Sequence, residues 1–476
     1  MPRDSYYGVL VLTLSQSILG TQISQAATIL ANTFQAVATQ KIDSDEGGFP
    51  GGFLENGDRF GRSVISIGDL DLDGVKDLVV GARSDDDGGE DAGAAYILFM
   101  NPDLTVKSTT KISATTGGLG AGVLDAGDFF GYSLASPGDL NNDGIQDLTV
   151  GAPNDDDGSV DAGAIYNLFL DRTGAVQSFQ KISNIIGGLT PGNQGSPLSE
   201  GDFFGTAAGA IGDYNNDGFV DIAIGAPRDD DGGTNQGAVW LLSLEQGGAV
   251  ASTTKISDPD LPFGTLSSRD EFGGRHVANI GDLDGDGRDE LAVGAYLDDD
   301  GGADAGALYT LFFNDDLTIR DVQKISALEG GLTASLSDDD LFGMTVAPLG
   351  DLDGDGIPDI AVGSNKDDDG GEDRGALFFF LMNSDGTVKS EAKISSADNF
   401  GFDSLELTDG ARFGRALGFV GDLAGDGSQV LAVGAGAGVD GGAVWLLKFR
   451  TQAVPEPSAI MLVLVGLVCR QARRRA

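Results

Sequence analysis

The sequence has very little of the residue types on which most catalytic and redox sites depend. Its 476 residues include one Cys and one His. One Cys cannot form an internal disulfide or a thiolate zinc site, and one His argues against a Ser-His-Asp triad or a His-based metal centre. Basic residues are also scarce: 29 Lys and Arg against 74 Asp and Glu give a formal net charge of −45. That charge excludes binding to nucleic acid or anionic membranes by charge attraction.

Glycine and apolar residues, by contrast, are plentiful. There are 75 Gly, and 41% of the residues are hydrophobic. This much apolar material can build a core, which a disordered acidic chain lacks. The glycines predict many tight turns. We therefore expect a large, folded, acidic protein, in which the sequence singles out no catalytic residue.

Residues 1–26 predict a cleaved export signal. An apolar run extends from Tyr6 to Leu14, and Ser24-Gln25-Ala26 places small residues where a signal peptidase inspects the chain. The alternative is a buried N-terminal segment. An export signal would place the body of the protein, residues 27–453, outside the cytoplasm.

Residues 454–476 form a second distinct segment. Val454, Pro455, Glu456 and Pro457 precede an apolar run, residues 459–469, and a cluster of arginines. Eleven helical residues span about 16 Å, which is short of the ~30 Å hydrocarbon core of a bilayer. The segment resembles a PEP-CTERM sorting signal. The resemblance implies transient membrane anchoring, cleavage by an exosortase-type processing enzyme, and delivery to the cell surface or extracellular matrix. A simple tail anchor or a buried C-terminal strand is the alternative.

The body is one repeat written six times, at a spacing of about 70 residues. Two dipeptides mark the period. Phe-Gly begins at Phe60, Phe130, Phe204, Phe272, Phe342 and Phe413. Lys-Ile begins at Lys41, Lys111, Lys181, Lys255, Lys324 and Lys393.

Each repeat contains four strand-like stretches, which in the first repeat are residues 63–67, 78–80, 95–99 and 105–112. Four strands per repeat predict an all-β fold, a β-propeller. The sixth repeat lacks its fourth strand, whereas residues 35–42 at the front end in the same Lys-Ile. We therefore expect six four-stranded blades closed by the N-terminal strand, with seven blades as the alternative. A recurring aromatic residue in the third strand, such as Tyr96, predicts packing between blades rather than a sugar-binding ladder.

An acidic loop between the first and second strands carries the chemistry. Its carboxylates fall at loop positions 1, 3, 5 and 9, with a Gly at position 6. Side chains at alternate positions of a tight turn converge on one point, and the backbone carbonyl at position 7 adds an oxygen. Six or seven oxygens suit calcium, whereas zinc and copper prefer nitrogen and sulfur. Turn formation with solvated charges is the alternative.

The loop is intact in five repeats and eroded in the sixth. The predicted ligands are Asp69, Asp71, Asp73, Val75 and Asp77; Asp139, Asn141, Asp143, Ile145 and Asp147; Asp213, Asn215, Asp217, Phe219 and Asp221; Asp282, Asp284, Asp286, Arg288 and Glu290; and Asp351, Asp353, Asp355, Ile357 and Asp359. In the sixth repeat Asp422 and Asp426 remain, but Ala424 and Val430 replace the other two acids. The loops with Asn at position 3 carry one carboxylate fewer, so we expect them to bind calcium more weakly.

Phe60-Gly61, the acidic loop and Val80-Gly81-Ala82 together resemble the FG-GAP repeat of the integrin α-subunit propeller. The resemblance covers residues 35–449 and implies calcium at the five intact loops. These repeats are longer than those of integrins, and the resemblance does not extend to integrin signalling.

Two further features remain open on the sequence alone. An Asp-Asp-Asp-Gly-Gly element, first at residues 85–89, follows the second strand and predicts either a solvated turn or a second cation site. It should lie on the face opposite the calcium loops. His276, the single imidazole, is interpreted as an ordinary surface residue.

The sequence therefore favours an exported, calcium-binding propeller that acts in binding or adhesion at the cell surface or in the extracellular matrix. Its ligand would be a glycan or a protein, reached through the variable loops before each Phe-Gly. A secreted, carboxylate-dependent hydrolase of glycosidase type and a purely structural surface component are the alternatives. A catalytic pair should occur once, whereas these acids recur in phase.

Overall fold

The computed structural model describes residues 34–189, 197–261, 266–314, 316–402, 405–436 and 441–451. Within these ranges there is one short 3₁₀ helix, Asp258–Asp260, and the remaining regular elements are β-strands. The strands are β1 Phe34–Ile42, β2 Phe60–Gly68, β3 Asp77–Ala82, β4 Ala94–Met100, β5 Val106–Ile112, β6 Leu134–Gly138, β7 Asp147–Ala152, β8 Ala164–Leu170, β9 Val176–Ser183, β10 Ala207–Gly212, β11 Asp221–Ala226, β12 Ala238–Leu244, β13 Val250–Ile256, β14 Val277–Gly281, β15 Glu290–Ala295, β16 Ala307–Phe313, β17 Ile319–Ile325, β18 Phe342–Gly350, β19 Asp359–Ser364, β20 Ala376–Met382, β21 Val388–Ile394, β22 Ala416–Gly421, β23 Gln429–Ala435 and β24 Ala443–Thr451.

The strands form six antiparallel sheets of four strands, which we call blades 1 to 6. Blades 1 to 5 take their strands in chain order: β2–β5, β6–β9, β10–β13, β14–β17 and β18–β21. Blade 6 has the order β1-β24-β23-β22. The first strands of the blades, β2, β6, β10, β14, β18 and β22, contact their neighbours around a central axis. The described chain is therefore a six-bladed β-propeller, as the repeat predicts, and the seven-bladed alternative is wrong.

The N-terminal strand closes the ring. β1 pairs antiparallel with β24, in a register that places Phe34 opposite Thr451 and Ile42 opposite Val444. The ring of Phe34 stacks on that of Phe449 at 4.6 Å in the core between blades 5 and 6. Ile42, at the other end of β1, packs into the core between blades 6 and 1. This confirms the predicted closure by residues 35–42 and extends the strand by one residue.

The aromatic residues of the repeat meet between adjacent blades. The Phe of each Phe-Gly is completely buried. Phe60 contacts the ring of Tyr96 edge-on at 5.7 Å, in a cluster that includes residues of blade 6. Edge-to-face contacts of this kind stabilise aromatic pairs beyond the area that they bury. The prediction that the third-strand aromatics pack between blades is confirmed.

Glycines let adjacent blades approach to van der Waals distance at one recurring point. A Cβ on Gly81, in Val-Gly-Ala of β3, would lie 2.0 Å from the carbonyl oxygen of Gly131, in the Phe-Gly of blade 2. The equivalent pairs at the other five interfaces are Gly151 with Gly205, Gly225 with Gly273, Gly294 with Gly343, Gly363 with Gly414, and Gly434 with Gly61. No side chain fits there, which explains why these two motifs recur together.

The predicted export signal, residues 1–26, and the predicted sorting segment, residues 454–476, lie outside the described residues. Across the ranges described above, no helix combines the length and the apolarity that crossing a membrane requires.

We expect Gly225→Ala to lower the free energy of unfolding by about 1–3 kcal/mol, because the new methyl would overlap a buried backbone oxygen. The melting temperature should fall accordingly. A Cβ at this position would lie 1.9 Å from the oxygen of Gly273. The matched control is Gly51→Ala, since a Cβ at Gly51 meets nothing within 4 Å and its φ is not positive. Thermal unfolding of both variants checks this, and equal melting temperatures would contradict it.

Candidate metal centre

The turn between the first two strands of each blade is held by hydrogen bonds from its backbone N–H groups to its own carboxylates. In blade 1, Asp69 accepts the backbone N–H groups of Asp73 and Gly74 at 3.0 and 2.9 Å. Asp73 in turn accepts the N–H of Val75 at 2.9 Å, and Gly74 has a φ of +93°. A side-chain carboxylate that binds backbone N–H groups two to five residues ahead is a standard way to fix a tight turn.

Blade 6 shows which acids the turn itself requires. Asp422 still accepts the N–H groups of Asp426 and Gly427 at 3.0 and 2.8 Å, although positions 3 and 9 are Ala424 and Val430. Positions 1 and 5 are therefore enough for the fold of the loop. The turn itself therefore does not require the acids at position 9 in blades 1 to 5, nor those at position 3 in blades 1, 4 and 5.

The position-9 carboxylate is buried in each of the five intact loops. Asp77 is 1% exposed and accepts backbone N–H groups from Leu70 and Met100 at 2.9 and 3.1 Å. Burial, opposed by those hydrogen bonds and reinforced by the charges of Asp71 and Asp73, raises the pKa of Asp77 to about 6. Burial likewise raises the pKa of the equivalent acids, to about 7 for Asp147, Glu290 and Asp359 and about 6 for Asp221.

Carboxylate oxygens converge in three of the loops. One oxygen from each member of three triads lies within 4.8 Å of the others, and no side-chain nitrogen or sulfur ligand belongs to the groups. The triads are Asp69, Asp71 and Asp77; Asp282, Asp284 and Glu290; and Asp351, Asp353 and Asp355. In blades 2 and 3 position 3 is Asn141 or Asn215, whose Nδ2 instead donates to the position-5 carboxylate at 2.9 or 2.8 Å. In each of the five loops the backbone N–H at position 7 donates to the position-5 carboxylate. The position-7 residues are Val75, Ile145, Phe219, Arg288 and Ile357.

A basic side chain, which the sequence did not single out, contacts each loop that has Asp at position 3. Lys107 Nζ lies 2.6 Å from Asp71 and 2.5 Å from Asp73. Lys389 is 2.6 and 2.5 Å from Asp353 and Asp355, and Arg320 contacts Asp284 and Asp286. The equivalent positions in blades 2 and 3 are Gln177 and Ala251.

This base must be counted in the charge of each loop. In blades 1, 4 and 5 the four acids and the base that contacts them give a net charge of −3. In blades 2 and 3 the three acids also give −3, and in blade 2 Arg172 donates to the carbonyl of Gly144 at 3.4 Å. The weaker calcium binding that the sequence predicts for the loops with Asn141 and Asn215 stays a prediction.

The first and third acids of the Asp-Asp-Asp-Gly-Gly element are bridged by a lysine, so the element is not simply a solvated turn. In blade 1 the ammonium of Lys111, from the Lys-Ile dipeptide, lies 2.9 Å from Asp85 and 3.1 Å from Asp87. Tyr96 donates its hydroxyl to Asp85 at 2.7 Å. The same lysine bridges the same two acids in blades 2 to 5, through Lys181, Lys255, Lys324 and Lys393. The lysine of the recurring Lys-Ile dipeptide therefore forms ion pairs with the Asp-Asp-Asp-Gly-Gly loop of its own blade.

A second buried carboxylate, also not singled out by the sequence, precedes each Phe-Gly in blades 1 to 5. Asp128 is 6% exposed and accepts the N–H of Asp125 at 2.8 Å. Burial and the charge of Asp155 raise its pKa to about 7 against that hydrogen bond. Burial also raises the pKa of its equivalents, to about 7 for Asp202 and Asp270 and about 6 for Asp58 and Asp340.

Comparison with known proteins agrees with the fold and the loops. The FG-GAP repeat matches residues 130–168, 204–242 and 273–311, the first three strands of blades 2, 3 and 4. Integrin alpha-5 of Xenopus laevis is 31% identical over 243 residues, which is 50% of this chain and 20% of that protein. Integrin alpha-PS5 of Drosophila melanogaster is 34% identical over 188 residues, 39% of this chain and 16% of that protein. Integrin alpha-6 of Homo sapiens is 34% identical over 171 residues, 36% of this chain and 13% of that protein.

The chain is thus a β-propeller that contains FG-GAP repeats. It is related in sequence to the N-terminal propeller of integrin α subunits, and the matched part spans a fifth or less of the length of these relatives. Among solved structures, a Saccharomyces cerevisiae core factor overlaps with a TM-score of 0.36 at 12% identity, over 95% of this chain and 70% of that one. That overlap is too low to bear on fold or function.

Acidification from pH 8 to pH 5 in EGTA should raise the melting temperature, because the acids before Phe-Gly have folded-state pKa values above their ordinary 3.8. Stability from such groups is complete below the unfolded pKa and is lost as pH rises through about 6 to 7. Asp128→Asn should flatten this dependence and stabilise the protein at pH 8. The control is Asp103→Asn, because hydrogen bonds from Thr105 lower the pKa of this exposed acid. Equal slopes in the two variants would contradict the prediction.

Proposed function

We propose that the protein is an exported, calcium-binding β-propeller that acts as a binding or adhesion protein rather than an enzyme. The proposal rests on the five acidic loops, on the kinship with integrin α subunits, and on the distribution of apolar side chains over the two faces. Its location would be the cell surface or the extracellular matrix, which rests on the export signal and sorting segment that the sequence predicts.

Calcium explains the acids at positions 3 and 9. Three or four carboxylates that converge within one turn repel each other, and a buried member such as Asp77 is costly when charged. A divalent cation offsets both effects, and an oxygen-only ligand set suits calcium. The loop would hold the ion by its carboxylates and by the carbonyl at position 7. Lys107, Arg320 and Lys389 contact the position-3 and position-5 carboxylates, so they would have to move aside or share these groups with the ion.

The face opposite the acidic loops carries the surface that we assign to ligand binding. Seven large apolar residues are strongly exposed in the described chain, and five of them lie in loops on this face. They are Phe53, Val160, Ile185, Ile186 and Leu328, with exposed fractions of 39 to 70%. These residues belong to loops of different blades on one face, and loops carried by a rigid scaffold are where recognition residues usually lie. This observation carries the binding proposal, and a glycan or a protein remains the class of ligand.

Enzymatic function is less well supported. A glycosidase needs one pair of carboxylates with different pKa values in one cleft. The raised pKa values here recur in every blade from 1 to 5, in the position-9 acids and in the acids before Phe-Gly. A feature repeated around a ring marks a structural role and gives no single reaction centre.

Calcium should stabilise the fold strongly. Each site filled at ten times its dissociation constant adds about 1.4 kcal/mol, so five sites add on the order of 7 kcal/mol. Excess EGTA should therefore lower the melting temperature markedly. Asp353→Ala should remove one ion from the stoichiometry measured by calorimetry, whereas Asp385→Ala, an exposed acid in the last turn of the same blade, should not. An unchanged melting temperature in EGTA would refute the calcium assignment.

Ligand binding should depend on the apolar face. The calcium-loaded protein would be screened on a glycan array and on immobilised matrix proteins. For any ligand found, Ile185→Ser combined with Leu328→Ser should weaken binding about tenfold or more. The control is Leu72→Asn, which removes an equally exposed leucine from the opposite face and introduces the residue present at the equivalent positions 142 and 216. Equal losses in both variants would refute this face as the binding surface.

A further inference from the structure

A ring of six side chains lies where the innermost strands begin, on the face opposite the acidic loops. These positions are equivalent in the register of the sheets. In blade 1, for example, Val64 of the first strand pairs with Val80 in the middle of the second strand, and Arg62 comes two residues before Val64; the other five blades follow the same rule. The ring consists of Arg62, Tyr132, Thr206, Arg275, Met344 and Arg415. Three of the 29 basic residues of this acidic chain, Arg62, Arg275 and Arg415, thus lie near the propeller axis, each in a different blade.

The arginines of the ring differ from the lysines that bridge acids in the blades. Each lysine described above contacts one or two carboxylates, whereas Arg62, Arg275 and Arg415 form no ion pair with a described residue. Nε and Nη2 of Arg62 and Nε of Arg275 are buried without a hydrogen-bond partner in the described part of the chain. Arg62 is only 3% exposed, and its guanidinium lies 3.7 Å over the ring of Tyr132. Buried guanidinium nitrogens without acceptors are unfavourable, so they point to an acceptor that the chain itself does not provide.

Glu271 is the acid whose charge acts on Arg275, and its carboxylate already accepts two hydrogen bonds. Glu271 accepts the hydroxyl of Tyr296 and the Nε of Arg228, the latter at 3.2 Å. Arg275 donates instead to the hydroxyl of Tyr132. Tyr132 therefore accepts from Arg275 and keeps its own hydroxyl proton to donate.

The pKa shifts differ among the three arginines. Against its burial, the charges of Tyr132, Tyr296 and Glu271 raise the pKa of Arg275. Burial lowers the pKa of Arg62 to about 10, and the neighbouring Arg275 contributes in the same direction. Burial and the charges of Arg62 and Arg275 also lower the pKa of Arg415. Burial alone would raise the pKa of Tyr132, but the charges of Arg275 and Arg62 outweigh it and bring this pKa down to about 8.

His276 adjoins the ring and corrects an expectation from the sequence. It lines the axial channel, and its Nδ1 is buried without a partner among the described residues. Burial and the charge of Arg62 lower its pKa to about 4, so the imidazole is uncharged at neutral pH. The interpretation as an ordinary surface residue is wrong, because the residue faces the axis.

The space between these groups is small and polar on one side. Its lining includes Arg62, Tyr132, Arg275, His276 and Arg415, and the cavity holds roughly one water-sized particle. The hydroxyls of Ser63 and Ser133, also in the lining, donate to the carbonyls of Gly131 and Gly205 at 2.9 and 2.7 Å. Those hydroxyls are thus committed to blade contacts, and Arg415 Nη1 donates to the carbonyl of Gly436 at 3.0 Å. The unpaired donors of the cavity are N–H groups of Arg62 and Arg275 and the Tyr132 hydroxyl.

We propose that Arg62, Arg275, Arg415 and Tyr132 bind a single chloride ion on the propeller axis. A monatomic anion matches a cavity that holds one water-sized particle, whereas acetate and sulfate are larger, and guanidinium N–H and hydroxyl groups are the donors that an anion requires. The anion would accept hydrogen bonds from blades 1, 2, 4 and 6, so it would tie together both sides of the junction at which the ring closes. This site is separate from the acidic loops and does not depend on calcium.

The test is equilibrium dialysis of the full chain against radiolabelled sodium chloride. We expect one chloride per chain, with and without EGTA. Arg62→Gln should weaken binding roughly tenfold or more, because it removes a charge-assisted pair of donors. The matched control is Arg450→Gln, which neutralises an exposed arginine at the outer end of β24 and should leave binding unchanged.

Two measurements keep the result interpretable. Tyr132→Phe retains the ring under Arg62 and removes only one donor, so it tests the site if Arg62→Gln fails to fold. Sodium acetate and sodium sulfate are added as competitors at equal concentration. Absence of stoichiometric chloride, binding unaffected by both Arg62→Gln and Tyr132→Phe, or full displacement by equal acetate or sulfate would each overturn the proposal.

Discussion

The contact between two glycines at each blade interface is the constraint on which the rest of the molecule depends. The Gly of Val-Gly-Ala lies against the carbonyl of the Gly in the next Phe-Gly, at a distance that leaves no room for a Cβ. This close approach lets each Phe reach the aromatic residue of its own third strand and seal the interface with the preceding blade. Because the same contact recurs at all six interfaces, it sets one spacing around the ring.

That spacing gives each end of the blade a separate electrostatic arrangement. At one end, acids of the first turn are compensated in part by a base from the fourth strand, such as Lys107. At the other, a lysine from the end of that same strand, such as Lys111, bridges two acids of the next turn. The fourth strand is thus the outer edge of the blade and also the source of its positive charge. At the axis, Arg62, Arg275 and Arg415 come together without forming an ion pair with a described residue.

Much of this architecture could be predicted from the sequence because it is periodic. Phe-Gly and Lys-Ile gave the number of blades, and the Lys-Ile at Lys41 gave the closing strand. The acids of the first turn were found in the same way. The bases that contact them were not, since Lys107, Gln177 and Ala251 stand at equivalent positions without sharing a residue type. The axial ring was missed for the same reason: Arg62, Thr206 and Met344 each follow a Phe-Gly but share no residue type, and Arg275 becomes equivalent to them only through sheet register.

The pairing of β1 with β24 also fixes an orientation and a direction of load. Thr451 leaves the sheet opposite Phe34, at the end of β24 that lies on the side of the acidic loops. A tether attached beyond Thr451 would therefore turn the acidic loops toward the surface that holds the protein and leave the apolar loops outermost. Tension on that tether would run along β24, which is hydrogen-bonded to β1 on one side and to β23 on the other. Such a strand is loaded in shear, so its bonds on both sides must fail together before the propeller can open.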